Sequence, residues 1–175
     1  TSFFLATKAS LPKDQASGGY GPDATEEAYT KKIDTSLKSL GLDYIDIYHH
    51  HGTWTRGATL YEPIISALQK AKQAGKIRWI GVSTHRHEPE VIDAAIEAKV
   101  YDVVLPAYNF RQQHAAEVQK AIARAAAAGL GVVGMKSMGG NRGGAYASVQ
   151  IDARACIKWV LQDPNITTAI PGITT

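Results

Sequence analysis

The chain of 175 residues has very little of the chemistry on which several classes of protein depend. Its single cysteine, Cys156, excludes an internal disulfide and a metal site built from several cysteines. No apolar run approaches the roughly 18 residues of a transmembrane helix, and no signal peptide is visible, so we expect no membrane partner and, by default, a cytoplasmic protein. The formal charge is only +3 and the basic residues are scattered, so we expect no nucleic-acid partner.

What the sequence does contain is a regular alternation of strand-like and helix-like segments. The hydrophobic patterns predict strands at 3–8, 44–50, 77–83, 102–108, 131–137 and 167–173, and helices at 23–40, 60–74, 88–98, 115–128 and 147–162. Several of these strands are apolar without clean alternation, which is typical of a parallel sheet that is covered on both faces. No shift in composition marks a second domain, so residues 1–175 are interpreted as one α/β domain.

Two architectures accommodate six βα units: a doubly wound open sheet and part of a (β/α)₈ TIM barrel. A complete barrel needs about 250 residues, so this chain holds six strands and is two short of closure. No Gly-x-Gly-x-x-Gly motif follows the first strand, which argues against a dinucleotide site of the Rossmann type. We therefore predict an incomplete barrel of six parallel strands.

The second predicted strand ends in three histidines followed by Gly52. Side chains alternate along a strand, so His49 and His51 share a face with Ile45, whereas His50 points towards the helices and is interpreted as structural. Because function collects at the carboxyl ends of barrel strands, His51 is a candidate hydrogen-bond donor, acid or base, or metal ligand. The alternative is a histidine that only caps the strand.

The other strand ends carry polar or backbone-exposing residues that would converge at the same mouth. They are Lys8, Ser83, Thr84, His85, Tyr108, Asn109, Lys136, Ser137, Pro171 and Gly172. Lys8 either pairs with an acidic or phenolic group or simply extends into solvent. The run from Met135 through Lys136, Ser137 and Gly139 can cradle a phosphate with its N–H groups and cation, or be a surface loop.

A metal site is the least favoured interpretation. The histidines form two His-x-His pairs, 49/51 and 85/87, and alternate strand positions can hold one metal. No carboxylate of suitable spacing joins them, so we expect no metal, and a metal-dependent TIM-barrel hydrolase remains a weaker alternative. Trp54, shortly after His51, either forms the wall of a substrate pocket or covers the rim of the barrel.

Four motifs resemble one family of (β/α)₈ barrels, the aldo-keto reductases. They are FLATK (4–8), SLKSLGLDYIDIY (36–48) followed by His51, GKIRWIGVS (75–83) and AIPG (169–172). They occur in the order of the family and would place this chain between its third and eighth barrel strands. The pair Met135–Lys136 is similar to a bacterial branch of the family.

The resemblance implies NADPH-dependent reduction of an aldehyde or ketone, a small-molecule carbonyl substrate, to an alcohol. Lys8 and His51 correspond to the catalytic lysine and histidine, whereas the catalytic tyrosine and aspartate precede the third strand in the family, and Tyr20 does not replace that tyrosine on motif grounds. We expect cofactor contacts from Ser83, Thr84, Tyr108, Met135, Lys136, Ser137, Gly139 and Gly172, and a substrate contact from Trp54.

Three positions depart from the commonest family pattern. Thr84 and Leu105 stand where an asparagine and a glutamine often hold the nicotinamide carboxamide, and Met135 replaces a stacking aromatic residue. A catalytically inactive NADPH-binding or interaction module of the same fold is therefore the alternative.

Overall fold

A computed structural model describes residues 3–139 and 152–172 and shows one sheet of six parallel strands in chain order. The strands are β1 (Ala6–Ala9), β2 (Ile45–His51), β3 (Ile77–Thr84), β4 (Val103–Pro106), β5 (Gly131–Met135) and β6 (Thr168–Ile170). The helices are α1 (Glu26–Leu40), α2 (Arg56–Thr59), α3 (Glu62–Gln73), α4 (Glu88–Ala98), α5 (Ala115–Ala127) and α6 (Ala153–Leu161). This is the arc of an incomplete (β/α)₈ barrel, as the alternation of segments predicts.

The core lies between the sheet and the helices. Ile80, Val82 and Val104 face the helix layer and are almost fully buried with Leu68 and Ile122. The amphipathic spacing of the helices supplies the other half of this core, because their apolar residues recur every three or four positions. The side chains at the alternate strand positions point to the opposite, inner face of the sheet. This inner face carries the candidate site.

Several boundaries differ from those that the sequence predicts. Helix α1 begins at Glu26 rather than at residue 23, because its cap is Thr25, whose Oγ1 accepts a hydrogen bond of 3.1 Å from the N–H of Ala28. The predicted helix 60–74 is α3, and the sequence analysis missed the short α2 that precedes it, which Thr55 caps. Strand β5 ends at Met135 because Lys136 takes a left-handed conformation with φ 58°.

Two further boundaries are shorter than predicted for simple reasons. Strand β4 ends at Pro106, which has no N–H to donate to a neighbouring strand. Strand β1 begins at Ala6, since Phe3 and Phe4 are 64% and 72% exposed and precede the ladder. The predicted helix start at 147 and the strand end at 173 lie outside the described residues.

Candidate active site

Strands β1, β2 and β3 bring polar side chains together at their carboxyl ends on the inner face. In the parallel ladder, Lys8 is opposite His49 and His51 is opposite Ser83. Lys8, His49 and His51 therefore lie on the same face, where the charge of Lys8 contributes to lowering the pKa values of both imidazoles. Lys8 is exposed on this face, and among the described residues no carboxylate lies within ion-pair distance of its ammonium.

The hydrogen bond between His51 and Ser83 fixes the proton on the imidazole. Ser83 is fully buried, and its Oγ lies 2.9 Å from Nδ1 of His51 and accepts the N–H of Gly52 at 3.3 Å. The hydroxyl proton needs an acceptor, and within the described residues Nδ1 is the one in reach. His51 is then the tautomer with its hydrogen on Nε2, so that Nε2 is left as a donor.

His51 is neutral at physiological pH. Burial, followed by the charges of Lys8, His85 and Lys13, lowers its pKa from 6.5 to about 4. A neutral imidazole with its N–H held in place can donate a hydrogen bond without losing its own proton. This is the arrangement that polarises a carbonyl rather than protonates it.

His49 is a member of this cluster that the sequence did not single out. Its ring lies over Gly81 of the neighbouring strand, where an added Cβ would be 2.2 Å from Nδ1 of the ring. Burial, followed by the charges of Lys8 and His51, lowers its pKa to about 4. Its Nδ1 is buried without a hydrogen-bond partner among the described residues.

His50 faces the helices, as its position in the strand predicts, and belongs to a chain of hydrogen bonds. Tyr101 donates its hydroxyl to the carbonyl of Thr59 at 2.7 Å and so accepts from Nδ1–H of His50 at 3.1 Å. Nε2 of His50 then accepts the hydroxyl of Tyr20 at 2.6 Å. Burial, followed by Lys13, lowers the pKa of His50 to about 3, so the ring stays neutral.

The hydroxyl of Tyr20 is consequently hydrogen-bonded on the helix side of the sheet. Burial raises the pKa of its hydroxyl, and that hydroxyl is already a donor to His50. It is therefore poorly placed to protonate a substrate at the inner face.

A cleft of about 550 Å³ lies between the loops after β3 and β5, and the residues that line it include His85, Arg86, Lys136 and Gly139. Burial, followed by the charges of Lys136 and Arg86, lowers the pKa of His85. The neighbouring Ser137 has a buried hydroxyl with no partner in the described part of the chain. An unpaired hydroxyl next to several cations fits an anionic ligand such as a phosphate group.

The remaining candidates for cofactor contacts lie in different places. Thr84 is buried, and its Oγ1 donates to the carbonyl of Arg86 at 2.6 Å, which closes the turn after β3. Met135 is buried at the end of β5, and Gly172 has open space around its Cα.

Tyr108 lies on the helix side of the sheet. Its ring packs on Trp159, with 4.9 Å between centroids, and its hydroxyl donates to Asp163 at 3.4 Å. Burial, followed by the charge of Asp163, raises its pKa to about 12. The structure thus does not bring this side chain together with His51.

The two His-x-His pairs do not form a metal site. His49 packs over Gly81, whereas His87 caps α4 in a left-handed conformation and lies 3.7 Å from Glu90. Within residues 3–139 and 152–172, no group of three or more histidine, cysteine or acidic side chains is arranged to hold a metal ion. In the same residues, no helix is both long and apolar enough to cross a bilayer.

Trp54 forms one wall of a cleft beside His51, together with a residue that the sequence did not indicate, Lys13. The ammonium of Lys13 lies 5.5 Å from the indole and donates to the carbonyl of His51 at 3.3 Å. Lys13 and Tyr20 form an antiparallel bridge in the loop after β1. The sequence signal for such a turn was the combination of Asp14, Ser17 and the glycines of this loop. In the structure, Asp14 accepts the N–H of Ser17 at 2.7 Å.

Comparison with known proteins shows the family to which the sequence is similar. Residues 1–149 match the model of the Aldo/keto reductase family. The chain belongs to this family.

Relatives among curated proteins support this membership. An aldo-keto reductase of Schizosaccharomyces pombe, named as NADP(+)-dependent, is 42% identical over 80 residues, which are 46% of this chain and 23% of that protein. L-glyceraldehyde 3-phosphate reductase of Escherichia coli is 32% identical over 108 residues, 60% of this chain and 30% of that protein.

The fold is that of the solved members of the family. An aldo-keto reductase from Bacillus halodurans superposes with a TM-score of 0.71 at 20% sequence identity, over 98% of this chain and 62% of that one. This confirms the incomplete (β/α)₈ barrel. The aligned segments of this aldo/keto reductase chain cover less than a third of each of the two curated relatives above.

Proposed function

We propose that the protein carrying this chain reduces a small aldehyde or ketone to an alcohol with NADPH. The observation that carries the proposal is the placement of Lys8 and of neutral His51 on one face of adjacent strands, at their carboxyl ends. Ser83 supports it by holding the hydrogen of His51 on Nε2.

The residues present fit an NADPH molecule. The cleft between the loops after β3 and β5 offers the cations of Arg86 and Lys136, which suit phosphate oxygens, and the buried, unpaired hydroxyl of Ser137 follows Lys136 in the chain. Met135 and Ser83 line the inner face nearby, and Gly172 leaves its backbone accessible, whereas the side chain of Arg111 lies over Gly139. We assign no hydroxyl contact with the cofactor to Thr84 or Tyr108, since both hydroxyls have protein partners. When bound, the dihydronicotinamide supplies the hydride.

The roles of the protein side chains follow from their charge and protonation. Nε2–H of His51 donates to the carbonyl oxygen and stabilises the negative charge that develops there. Lys8 has no carboxylate partner in the described chain, so its ammonium is available to lower the pKa of a neighbouring phenol. In the scheme that the family resemblance implies, that phenol is a tyrosine from a barrel strand preceding Lys8 in the family's order, and it delivers the proton.

The proposal is tested by the replacement of Lys8. Lys8→Met in the full-length protein should lower kcat for aldehyde reduction at least about 100-fold, because loss of a group that assists general acid catalysis typically costs 10²–10⁴-fold. NADPH binding, measured by fluorescence titration, should remain. The matched control is Lys120→Met, which removes an exposed lysine of α5.

Two results would decide against the proposal. Unchanged turnover in Lys8→Met would remove Lys8 from the chemistry. NADPH binding with no turnover of any aldehyde by the unaltered full-length protein would favour the alternative, a binding or interaction module with the same fold.

A further inference from the structure

The carboxyl-end rim of the sheet carries cations that lack acidic partners. Among the described residues, no carboxylate lies within ion-pair distance of these side chains, which we term the basic rim: Lys8, Lys13, Lys32, Arg86 and Lys136. Several other cations of the described residues do have carboxylate partners. Examples are Lys70 with Glu26 at 2.6 Å, Lys72 with Asp102 at 2.7 Å, Lys76 with Asp34 at 2.6 Å and Arg124 with Asp93 at 2.8 Å.

Lys13 is the member of the basic rim that is best positioned to bind a ligand. Its ammonium donates to the carbonyl of His51 at 3.3 Å and to the hydroxyl of Tyr20 at a long 3.5 Å, and both acceptors are neutral. An ammonium has three N–H donors, so at least one remains free. The half-buried position also lowers the pKa of Lys13, an effect that a bound anion would oppose.

The side chain of Trp54 is fixed in place next to Lys13. The indole lies between the ammonium of Lys13 at 5.5 Å and the guanidinium of Arg86 at 5.2 Å. It also packs so closely over Gly18 that an added Cβ there would be 1.9 Å from Nε1. The tryptophan therefore forms a wall beside Lys13 whose position Gly18 and the two cations determine.

The cleft at this place has the size of a small metabolite. Its volume is about 470 Å³, and Lys13, Lys32, Gln15, His51, Trp54 and His85 are among the side chains that line it. None of its lining residues is acidic. A carbonyl group at His51 would leave a substituent a few atoms away within reach of Lys13.

We propose that Lys13, backed by Trp54 and with Lys32 at its edge, is an anion subsite that binds the carboxylate or phosphate of a short carbonyl substrate. This inference rests on the proposed reductase function for the carbonyl end of the substrate. The subsite selects anionic carbonyl compounds over neutral ones of equal length. It is separate from the position that the carbonyl oxygen takes at Nε2 of His51.

The test compares an anionic aldehyde with a neutral one in the full-length protein. Lys13→Met should lower the ratio of kcat/KM for succinic semialdehyde to that for butanal by about 10- to 100-fold, because a hydrogen bond to a charged group is worth that factor. Lys13→Arg keeps the charge and should retain most of the ratio, which separates loss of charge from misfolding. Lys120→Met is the control for removal of a remote lysine.

Direct binding separates this inference from the proposed function. Calorimetric titration with glyoxylate and with inorganic phosphate, without turnover, should show that Lys13→Met weakens both ligands by a similar factor. The ligand that binds the unaltered protein more tightly shows whether the subsite prefers a carboxylate or a phosphate. If anions bind through Lys13 but no aldehyde is reduced, the subsite stands and the reductase proposal fails.

Two outcomes would overturn the subsite. One is an unchanged selectivity ratio and unchanged anion binding in a folded Lys13→Met protein. The other is weaker binding of NADPH with no change for the anionic aldehyde, which would assign Lys13 to a phosphate of the cofactor.

Discussion

The imidazole of His49 occupies space that only a glycine at position 81 leaves open, since a Cβ on Gly81 would lie 2.2 Å from Nδ1 of the ring. The two residues are directly opposite in the ladder of β2 and β3. Nδ1 belongs to a ring held in a buried site rather than to the end of a flexible chain, so the contact cannot be relieved cheaply. Gly81 thereby determines where His49 lies relative to Lys8 and His51.

Gly81→Ala should accordingly destabilise the protein. Overpacking of a buried site costs about 1–3 kcal/mol, and displacement of His49 would also disturb the neighbouring His51. The free energy of unfolding from urea denaturation measures this loss. Gly57→Ala is the matched control, because no atom lies within 4 Å of the added Cβ in α2, and its stability should be unchanged or slightly higher. Equal stabilities for the two variants would contradict the crowding argument.

Ser83→Ala tests the tautomer of His51. The substitution removes the hydroxyl that donates to Nδ1 and accepts the N–H of Gly52, so the hydrogen should no longer be confined to Nε2. The ¹⁵N chemical shifts of the His51 ring should move from those of one tautomer towards a mixture. In the full-length protein, kcat should fall about 10-fold, because the variant loses the one hydrogen bond that orients the ring of His51. Ser66→Ala, far from His51 on α3, should leave the ring shifts as they are.

The three consecutive histidines predict a stability that falls as the pH is lowered. Their pKa values are near 6.5 when unfolded but about 4, 3 and 4 at positions 49, 50 and 51 in the folded protein, because burial disfavours the charged rings. Below pH 6.5 the unfolded state binds more protons, so stability is lost as pH falls towards about 4.

Thermal unfolding between pH 7 and pH 5 measures this dependence. In this range the carboxylates that have lowered pKa values, such as Glu26 with its ordinary pKa of 4.5, contribute little, because they begin to take up protons only nearer that value. The decrease in Tm should be smaller in His49→Gln than in the unaltered protein. A Tm that is constant across this interval would show that the rings are charged in the folded state.

Tyr20→Phe tests the hydrogen-bond chain behind the sheet. Without the hydroxyl, Nε2 of His50 is left as a buried acceptor with no donor, which should cost about 1–3 kcal/mol of the free energy of unfolding. Tyr61→Phe is a matched control, since the ring of Tyr61 packs on Tyr20 at 4.8 Å while its hydroxyl makes no hydrogen bond within the described residues. If both variants were equally stable, the bond between Tyr20 and His50 would not contribute to stability.

The hydrophobic periodicity predicts the fold and part of the site because both depend on local patterns. The six strands and the helices between them follow from apolar spacing and from glycine and proline punctuation. Lys8 and His51 could be selected because each ends an apolar strand, and the carboxyl ends of parallel strands meet at one mouth. Their common face follows from counting alternate positions.

The parts of the site that depend on pairing between distant segments could not be predicted. Gly81 and His49 are adjacent only through the register of β2 with β3, which neither strand encodes by itself. Lys13 reaches His51 because its loop folds back as a bridge to Tyr20, and a loop rich in small residues shows no periodicity. Tyr108, by contrast, lies an even number of positions after Val104, so alternation itself predicts the helix side, where its ring packs on Trp159.

The order of the strands also bears on how the protein is made by the ribosome. Each strand from β2 to β6 pairs with the one synthesised just before it, so a nascent chain can add βα units one at a time without waiting for distant partners. Within these six strands, β1 and β2 are synthesised before the other four. The ammonium of position 8 and the imidazole of position 51 can therefore become neighbours before β3 to β6 have been translated.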